Sequence, residues 1–344
     1  MTTRVAFLFP GQGSQAVGMG ADIFEASPAA RRVFQEGDEA LGFALSQVCF
    51  AGPDEALRET INAQPAIVTV SLALLAALQE TLAAQTSTIS PSWITPLTPA
   101  FTAGHSVGEY AALVASGALT LADAARLVRE RGRLMHHEGT VCPGSMAAII
   151  ALDEATLQEV CAEATAQASA HKTGSHPGEG QVAIANYNAP GQIVISGEIK
   201  ALNLAMELAK ARGAKKVMPL AVSGAFHSPV MQPAAAGLAQ AIAATQVNDA
   251  QIPLVGNIHA TALTDAQAIR EELAQQIASA VQWIRSVEYL AGEGVTLFIE
   301  IGPGQALTSM VKRIAKGTTM LNVSSGADLA RVAGVLREMG LASA

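Results

Sequence analysis

Short apolar runs alternate with longer stretches of helical periodicity along most of the chain. Val5-Ala-Phe-Leu-Phe9 is an apolar run that stops at Pro10 and Gly11, which predicts a buried strand entering a tight loop. Helices are predicted near 20–48, 54–62 and 65–84, and further strands at 101–103, 254–257, 296–301 and 320–323. Strands that alternate with long helices predict an α/β protein whose mostly parallel sheet is covered on both faces.

One part of the chain follows a different order of elements. The predicted order is strand 146–152, helix 153–168, strands 181–186 and 192–196, helix 199–212 and strand 216–222. This βαββαβ order is that of a ferredoxin-like unit. We therefore expect a small domain of residues 143–218, inserted in a large domain of residues 1–142 and 219–344. The polar segments 85–99 and 169–180 are expected to be loops.

Composition and charge narrow the class of protein. Half of the 344 residues are hydrophobic and 15% are charged, so the chain can bury a sizeable core. The net charge of −8 repels phosphate backbones and argues against nucleic acid as a partner. The three cysteines form neither a C-x-x-C pair nor a metal-binding pattern, which fits reduced cytoplasmic thiols. We expect no metal and no bound cofactor.

Neither a leader nor a membrane span is expected from the apolar pattern. The N-terminal run reaches Pro10 too soon for a signal peptide. The apolar run 66–78 is shorter than the roughly 20 residues that cross a bilayer, which predicts a buried core helix. The chain is therefore predicted to be a soluble cytoplasmic protein without a membrane partner.

Gly104-His-Ser-Val-Gly108 matches G-x-S-x-G between a predicted strand and a predicted helix. This is the context of a nucleophile elbow, in which two glycines permit a sharp turn that exposes the serine hydroxyl. The following helix directs the positive end of its dipole at the same point. Ser106 is the predicted nucleophile, and the alternative is a turn serine without chemistry.

A serine nucleophile needs a base, and His227 is the best placed of the seven histidines. It follows a predicted strand, and Ser228 and Pro229 behind it suit the N-cap and first position of a helix. A packed structural histidine is the alternative. His105 adjoins Ser106 and should point away from it. The other histidines, in less defined settings, are His136, His137, His171, His176 and His259.

Acyl transfer also needs N–H donors for the negative charge that develops on the carbonyl oxygen. In an elbow the residue after the serine supplies one such donor, here Val107. Gln12, in the glycine-rich loop after the first strand, is the candidate for the second. The alternative is a G-x-G turn that binds nothing.

Arg131 interrupts the apolar face of a predicted helix. At about 100° per residue, Leu127, Val128 and Met135 share one side of the helix that begins after Thr120, and Arg131 falls among them. Arg126, Arg129 and Arg133 fall on the opposite, solvated side. A buried guanidinium needs a partner. That partner is either an internal salt bridge or a carboxylate of the substrate, which a guanidinium binds in bidentate fashion.

Several motifs together resemble one family. They are Phe9-Pro-Gly-Gln-Gly-Ser-Gln15, Gly104-His-Ser-Val-Gly-Glu109, Arg131-Gly-Arg-Leu-Met135, Gly224-Ala-Phe-His-Ser-Pro-Val-Met231, Val281-Gln-Trp283 and Glu300-Ile-Gly-Pro-Gly304. Their order is similar to that in malonyl-CoA:acyl carrier protein transacylases and in the acyltransferase domains of polyketide and fatty acid synthases. The likeness runs from about residue 4 to 325. It implies an α/β-hydrolase-like large domain with a ferredoxin-like insertion.

The resemblance also implies a reaction and a set of roles. Ser106, with His227 as base, would take the malonyl group from malonyl-CoA and pass it to the phosphopantetheine thiol of acyl carrier protein. Gln276 would orient His227 through its backbone carbonyl, and Gln12 and Val107 would form the oxyanion hole. The substrate-binding residues implied are Arg131, Met135, Phe226, Asn186 and Asn188. The ring of Phe226 would leave little room for an α-methyl group.

Other functions remain as alternatives to this one. A freestanding acyltransferase of a polyketide assembly line would use the same residues. A serine esterase or thioesterase would share the elbow but would not need Arg131. A non-catalytic carrier-protein-binding module would need none of Ser106, His227 and Arg131. An acidic carrier protein would dock on a basic patch. The candidate patches are Lys210, Arg212, Lys215 and Lys216, and Lys312, Arg313 and Lys316.

Overall fold

The computed structural model describes residues 3–84, 97–170 and 174–341. The strands are β1 (Arg4–Phe9), β2 (Phe101–Gly104), β3 (Gly144–Ile150), β4 (Val182–Ala189), β5 (Gln192–Glu198), β6 (Lys216–Pro219), β7 (Leu254–Val255), β8 (Ala262–Leu263), β9 (Val295–Ile301) and β10 (Thr319–Val323). The helices are α1 (Ala21–Ala26), α2 (Pro28–Leu41), α3 (Leu45–Ala51), α4 (Asp54–Arg58), α5 (Thr60–Ala83), α6 (Gly108–Ala115), α7 (Leu121–Val141), α8 (Glu154–Ser169), α9 (Ile199–Ala211), α10 (Gln232–Ala243), α11 (Ala266–Gln276), α12 (Trp283–Gly292), α13 (Ala306–Ile314) and α14 (Gly326–Glu338).

A six-stranded sheet in the order β10-β9-β1-β2-β7-β8 forms the centre of the larger part of the chain. Its strands pair in parallel except for β8, which runs antiparallel to β7. Alternate residues of β1 enter two different cores: Phe7 and Phe9 pack on one face, and Ala6 and Leu8 on the other. The predicted α/β fold, with a mostly parallel sheet covered on both faces, is confirmed.

The segment from Gly144 to Pro219 builds a second sheet, which is antiparallel and has the order β4-β5-β3-β6. Helices α8 and α9 pack on it and share a core of their own, which includes Leu157, Leu202 and the strand residue Ile195. Val281 joins the two sheets, because its N–H donates to Ala185 and its carbonyl accepts from Tyr187 of β4.

Several predicted boundaries were wrong. The helix predicted over 20–48 is three helices, because Ser27 caps α2 directly before Pro28 and Gly42 ends it with a φ of 72°. The predicted strands 216–222 and 254–257 end earlier, at Pro219 and Val255, and β8 was not predicted. The loop predicted over 85–99 lies mainly outside the described residues.

The apolar run 66–78 belongs to α5, a helix of 24 residues. The expectation that this run is too short to cross a bilayer was therefore wrong on length. By length and composition the helix qualifies as a membrane span, but 67% of its apolar window is buried inside the protein. The core helix of a soluble protein meets the same criterion, so α5 is weak evidence for a membrane. Its role as a core helix is confirmed by its burial.

Two glycines allow β2, β1 and α6 to meet at one point. A Cβ atom on Gly104 would lie 2.0 Å from the carbonyl carbon of Gly108, and a Cβ atom on Gly108 would lie 2.2 Å from the carbonyl oxygen of Phe9. Both obstacles are backbone atoms, which a side-chain rotation cannot relieve. The turn between β2 and α6 is therefore closed to any larger residue at these two positions.

We predict that Gly108→Ala destabilises the protein by about 1–3 kcal/mol or more, because the added methyl group overlaps β1. Gly334→Ala is the matched control. It also replaces a helical glycine, but its Cβ would have no heavy atom within 4 Å, so it should stabilise by about 0.5–1 kcal/mol. Urea unfolding followed by circular dichroism measures both. Equal effects of the two substitutions would contradict the steric argument.

Candidate active site

Ser106 sits at the turn between β2 and α6 with a φ of 53°, a left-handed conformation that is uncommon for a residue with a side chain. The turn directs its hydroxyl into a cavity, where Oγ lies 2.7 Å from Nε2 of His227. This distance is that of a short hydrogen bond between a nucleophile and its base. The two residues are 121 positions apart in the chain, and the fold brings them together.

Asn257 holds the turn that carries Ser106. Its Oδ1 accepts from the Ser106 N–H at 2.7 Å, and its Nδ2 donates to the Gly104 carbonyl at 2.7 Å. Strands β2 and β7 are paired in parallel up to Val255, and the Asn257 amide continues this pairing where the backbone of the turn diverges. The residue is 1% exposed. Its side chain thus fixes the strained turn from the neighbouring strand.

His227 is held as tightly as Ser106, also with a positive φ of 57°. Its Nδ1 lies 3.0 Å from the carbonyl oxygen of Gln276 and 3.1 Å from that of Ser279, so the N–H at this position donates to neutral acceptors. Ser228 caps the turn that follows, accepting from Val230, and a 3₁₀ turn over Pro229–Met231 precedes α10. The predicted cap is confirmed, and the Ser279 carbonyl is an addition to the expected partner.

Burial, and then the charge of Arg131, lower the pKa of His227 from 6.5 to about 3. A neutral imidazole with its proton on Nδ1 leaves Nε2 free to accept the proton of the Ser106 hydroxyl. The ring is therefore in the protonation state that a general base requires over the whole physiological range.

The guanidinium of Arg131 lies beside the nucleophile, and its residue is 1% exposed. Its terminal nitrogens donate to Oε1 of Gln64 at 2.7 Å, to Oε1 of Gln276 at 2.9 Å and to Oγ of Ser106 at 3.2 Å. Within the described parts of the chain, no carboxylate lies within the 4.0 Å of a salt bridge. The alternative of an internal salt bridge is thereby wrong for these residues.

Helix α7 presents Arg131 from the predicted apolar face. Leu127, Val128 and Met135 are buried on the same side, as the periodicity required, while Arg126 and Arg133 are exposed. Arg129 departs from the prediction, because it is only half-exposed and donates to the carbonyl of Ile61 at 2.9 Å.

A cavity of about 860 Å³ surrounds Ser106, His227 and Arg131. It is also lined by the predicted residues Gln12, Met135, Asn186, Asn188 and Phe226. Val107 and Gln276 are buried behind its wall, at 0% and 1% exposure, Val107 being the N-cap residue of α6. The Gln12 side chain donates to Oγ1 of Thr60 at 3.0 Å, which fixes the glycine-rich loop against α5.

The remaining histidines take other positions. His105 was expected to point away from Ser106; its Nε2 lies 2.9 Å from Oδ1 of Asn188, and the residue also lines the cavity. His176 pairs with Glu138 at 3.0 Å. His136, His137 and His259 are exposed, and His171 lies outside the described residues.

Sequence reasoning missed Gln64, Glu109 and Asn257 as parts of the site. Glu109 accepts from the Asn257 backbone N–H at 3.1 Å and from Nε2 of Gln276 at 3.0 Å, and it is fully buried. Burial and the nearby carboxylate of Glu272 raise its pKa. The available signal was a polar residue within an otherwise apolar stretch, the same signal that identified Arg131.

A serine on a strand-to-helix turn, a neutral imidazole at hydrogen-bonding distance and a buried guanidinium define the site of a serine acyltransferase on an α/β fold. The acyl transferase domain family matches residues 6–340. This chain belongs to that family, within the group of malonyl CoA-acyl carrier protein transacylases, as the following similarities establish.

The similarity to relatives covers nearly the whole chain. The malonyl CoA-acyl carrier protein transacylase of Bacillus subtilis is 44% identical over 322 residues, 94% of each chain. That of Escherichia coli K12 is 41% identical over 318 residues, which cover 92% of this chain and 94% of the relative.

Solved structures agree with these relatives. The acyl-carrier-protein S-malonyltransferase of Bartonella henselae superposes with a TM-score of 0.87 at 38% identity, covering 98% of this chain and 100% of that one. A malonyl-transacylase solved in complex with a type II PKS acyl-carrier protein has a TM-score of 0.84 at 34% identity, covering 97% and 100%.

The lowered pKa of His227 is testable by NMR of histidine-labelled protein. We predict no titration of this ring between about pH 8 and 5, where an ordinary histidine titrates. Arg131→Gln should raise the pKa, because removing the positive charge removes the second cause of the lowering. Arg126→Gln, which removes an exposed cation of the same helix, should leave it unchanged. A wild-type His227 that titrates near 6.5 would refute the assignment.

Proposed function

We propose that this chain transfers the malonyl group of malonyl-CoA to the phosphopantetheine thiol of acyl carrier protein, through a malonyl ester on Ser106. One observation carries the proposal: a buried guanidinium that forms no salt bridge with the residues described lies 3.2 Å from a serine oxygen that is itself 2.7 Å from an imidazole. The two carboxyl carbons of malonate are separated by one methylene, and thus by about 2.5 Å. A malonyl group on Ser106 therefore brings its free carboxylate to Arg131.

In the first half-reaction, Nε2 of His227 takes the proton of the Ser106 hydroxyl as Oγ bonds to the thioester carbonyl carbon. The oxyanion that forms is stabilised by the backbone N–H groups of Gln12 and Val107. Collapse of this intermediate breaks the carbon–sulfur bond, and His227 returns its proton to the sulfur. Coenzyme A leaves as the thiol, and the malonyl group remains as an ester.

The second half-reaction runs the same steps in reverse with a different thiol. His227 takes the proton of the phosphopantetheine thiol, whose sulfur attacks the ester carbonyl. The Ser106 oxygen leaves and recovers the proton from His227. The carbonyls of Gln276 and Ser279 hold the ring in one orientation throughout, because both accept from its Nδ1–H.

Five residues that line the cavity are assigned to the substrate. Arg131 binds the malonyl carboxylate, and Met135 packs beside it. The ring of Phe226 restricts the space at the α-carbon, so methylmalonyl should react more slowly, by the factor that about 1–3 kcal/mol allows for one methyl group. Asn186 and Asn188, which line the same cavity, are assigned to the coenzyme A or phosphopantetheine arm.

We also propose a division into two domains. Residues 143–218 form a ferredoxin-like domain, a proposal supported by the βαββαβ order and by a sheet and core separate from those of the rest. Residues 1–142 and 219–344 form an α/β-hydrolase-like catalytic domain. The enzyme is proposed to act in the cytoplasm, together with malonyl-CoA and the carrier protein.

The carrier protein is proposed to dock on an exposed basic patch at the C-terminal end of α13, formed by Lys312 and Arg313 of the helix and by Lys316 just beyond it. The same helix lines the cavity through Leu307 and Met310, so a partner bound there lies at the entrance. The other candidate patch is weaker, because its arginine is paired with two glutamates of α8. Acyl carrier proteins are acidic, and the patch of Lys312, Arg313 and Lys316 offers the complementary charge.

The proposed reaction predicts a malonyl-enzyme. Incubation with malonyl-CoA should add one malonyl group to the wild type by mass spectrometry, and nothing to Ser106→Ala. Malonyl transfer by that variant should fall by at least about 10⁴-fold, because the covalent route is lost. A carrier protein should collect the group as a thioester. Release of free malonate at the same rate with and without carrier protein would instead indicate a hydrolase.

The docking proposal predicts a change confined to one substrate. Lys312→Glu combined with Lys316→Glu should raise the KM for carrier protein by about 10-fold at low salt and by less at high salt, since exposed charges are screened. Lys210→Glu with Lys215→Glu is the control with the same charge change and should have little effect. An unchanged carrier-protein KM in the α13 variant would contradict the proposal.

A further inference from the structure

The buried charge of Arg131 is held by amides instead of carboxylates. Oε1 of Gln64 on α5 accepts a hydrogen bond from one terminal nitrogen at 2.7 Å. Oε1 of Gln276, at the end of α11, accepts one from the other terminal nitrogen at 2.9 Å. Both glutamines are themselves buried, at 0% and 1% exposure. The guanidinium is therefore oriented by two groups that carry no net charge.

This choice of partner has an electrostatic consequence. A buried guanidinium needs hydrogen-bond acceptors, and either an amide or a carboxylate supplies them. A carboxylate would also neutralise the charge, with an energy that grows as the local dielectric constant falls. Amide oxygens satisfy the geometry and leave the positive charge for an incoming anion.

The buried carboxyl group of Glu109 is separated from Arg131 by one side chain. Gln276 stands between the two, with its Oε1 toward the guanidinium and its Nε2 donating to Oε2 of Glu109 at 3.0 Å. Burial and the neighbouring Glu272 raise the pKa of Glu109, which favours its uncharged form. Glu109 is thus a poor counter-ion for the arginine.

Each amide is fixed so that its oxygen faces Arg131. Nε2 of Gln64 donates to the sulfur of Met135 at 3.0 Å, and Nε2 of Gln276 donates to the backbone carbonyl of Ser106 at 3.0 Å. A flip of either amide would exchange its oxygen and its NH₂ group and would place two hydrogen-bond donors, the NH₂ group and the guanidinium, against each other. The acceptors of the NH₂ groups, which include Glu109 for Gln276, therefore determine the orientation of both oxygens.

We propose that Gln64 and Gln276 are specificity-determining positioning residues, which orient Arg131 while denying it an internal counter-ion. Only an acyl group with a terminal carboxylate then completes the ion pair, and an uncharged acyl group leaves the charge unpaired. This inference rests on the proposed malonyl transfer. It assigns the selectivity to the neutrality of the amide pair as well as to the arginine.

The test is Gln64→Glu, which keeps the size of the side chain and places a carboxylate where Oε1 of Gln64 lies. The kcat/KM for malonyl-CoA should fall by about 100-fold or more, because the arginine is already neutralised and the new charge repels the substrate. The kcat/KM for acetyl-CoA, which has no carboxylate, should fall much less. The ratio of the two constants is the readout, since the fraction of folded enzyme cancels from it.

Gln64→Met is the matched control, because it keeps the length of the side chain and adds no charge. Its malonyl-to-acetyl ratio should stay within about 10-fold of the wild type, since the charge around Arg131 is unchanged and the lost hydrogen bond affects the reactions of both substrates. Gln276→Glu provides a second variant if Gln64→Glu does not fold. It leaves the backbone carbonyl available to His227 and should also lower the ratio.

An unchanged ratio in Gln64→Glu would overturn the inference. An equal drop in Gln64→Met would also overturn it, because geometry and not charge would then be responsible. Arg131→Ala should give the lowest malonyl-to-acetyl ratio of kcat/KM, since it removes the cation and should shift preference toward uncharged acyl groups. A wild-type enzyme that does not prefer malonyl-CoA would contradict the proposed function itself, independently of the variants.

Discussion

A positive charge buried beside a nucleophile is the constraint on which this site depends. Removing a guanidinium from water is unfavourable unless acceptors surround it, and Arg131 finds them in two amide oxygens and one hydroxyl. None of these cancels the charge, so part of the unfavourable free energy remains in the free enzyme. In the proposed reaction, an acyl group with a carboxylate relieves this unfavourable free energy on binding. The fold thus prepares the anion site in advance, and little of the binding energy is spent on ordering it.

The same charge also acts on the base. It lowers the pKa of His227, and the two carbonyl oxygens that accept from Nδ1 oppose this only in part, since neither carries a full negative charge. A carboxylate in their place would stabilise the protonated ring and partly neutralise Arg131 as well. Neutral acceptors therefore serve both residues. In the proposed reaction a substrate anion pairs with Arg131, which would reduce the lowering of the pKa and make the imidazole a stronger base once the correct acyl group is bound.

Residues whose roles follow from local context were the ones that the sequence predicted. Ser106 was predicted from a turn motif, His227 from a helix cap and Arg131 from the periodicity of one helix. Asn257 follows from none of these, because its role depends on the pairing of β2 with β7 and it lies beyond the end of its strand. Gln64 likewise acts through the packing of α5 against α7, which periodicity within either helix does not specify. The prediction of one helix over 20–48 was wrong for a different reason. The Ser27-Pro28 and Gly42 signals that divide this segment are present in the sequence, but the prediction gave more weight to the length of the periodic pattern.

One segment of chain explains how three distant residues converge. Asn257 holds the Ser106 turn, the side chain of Gln276 holds Arg131, and the backbone carbonyls of Gln276, Ile277 and Ser279 hold the ring and N–H of His227. Ser106 and His227 both have positive φ values, a strain that persists only where the surroundings enforce it. The stretch from 257 to 279 supplies those contacts to all three residues. Their relative positions are therefore set by this one segment more than by the three elements that carry them.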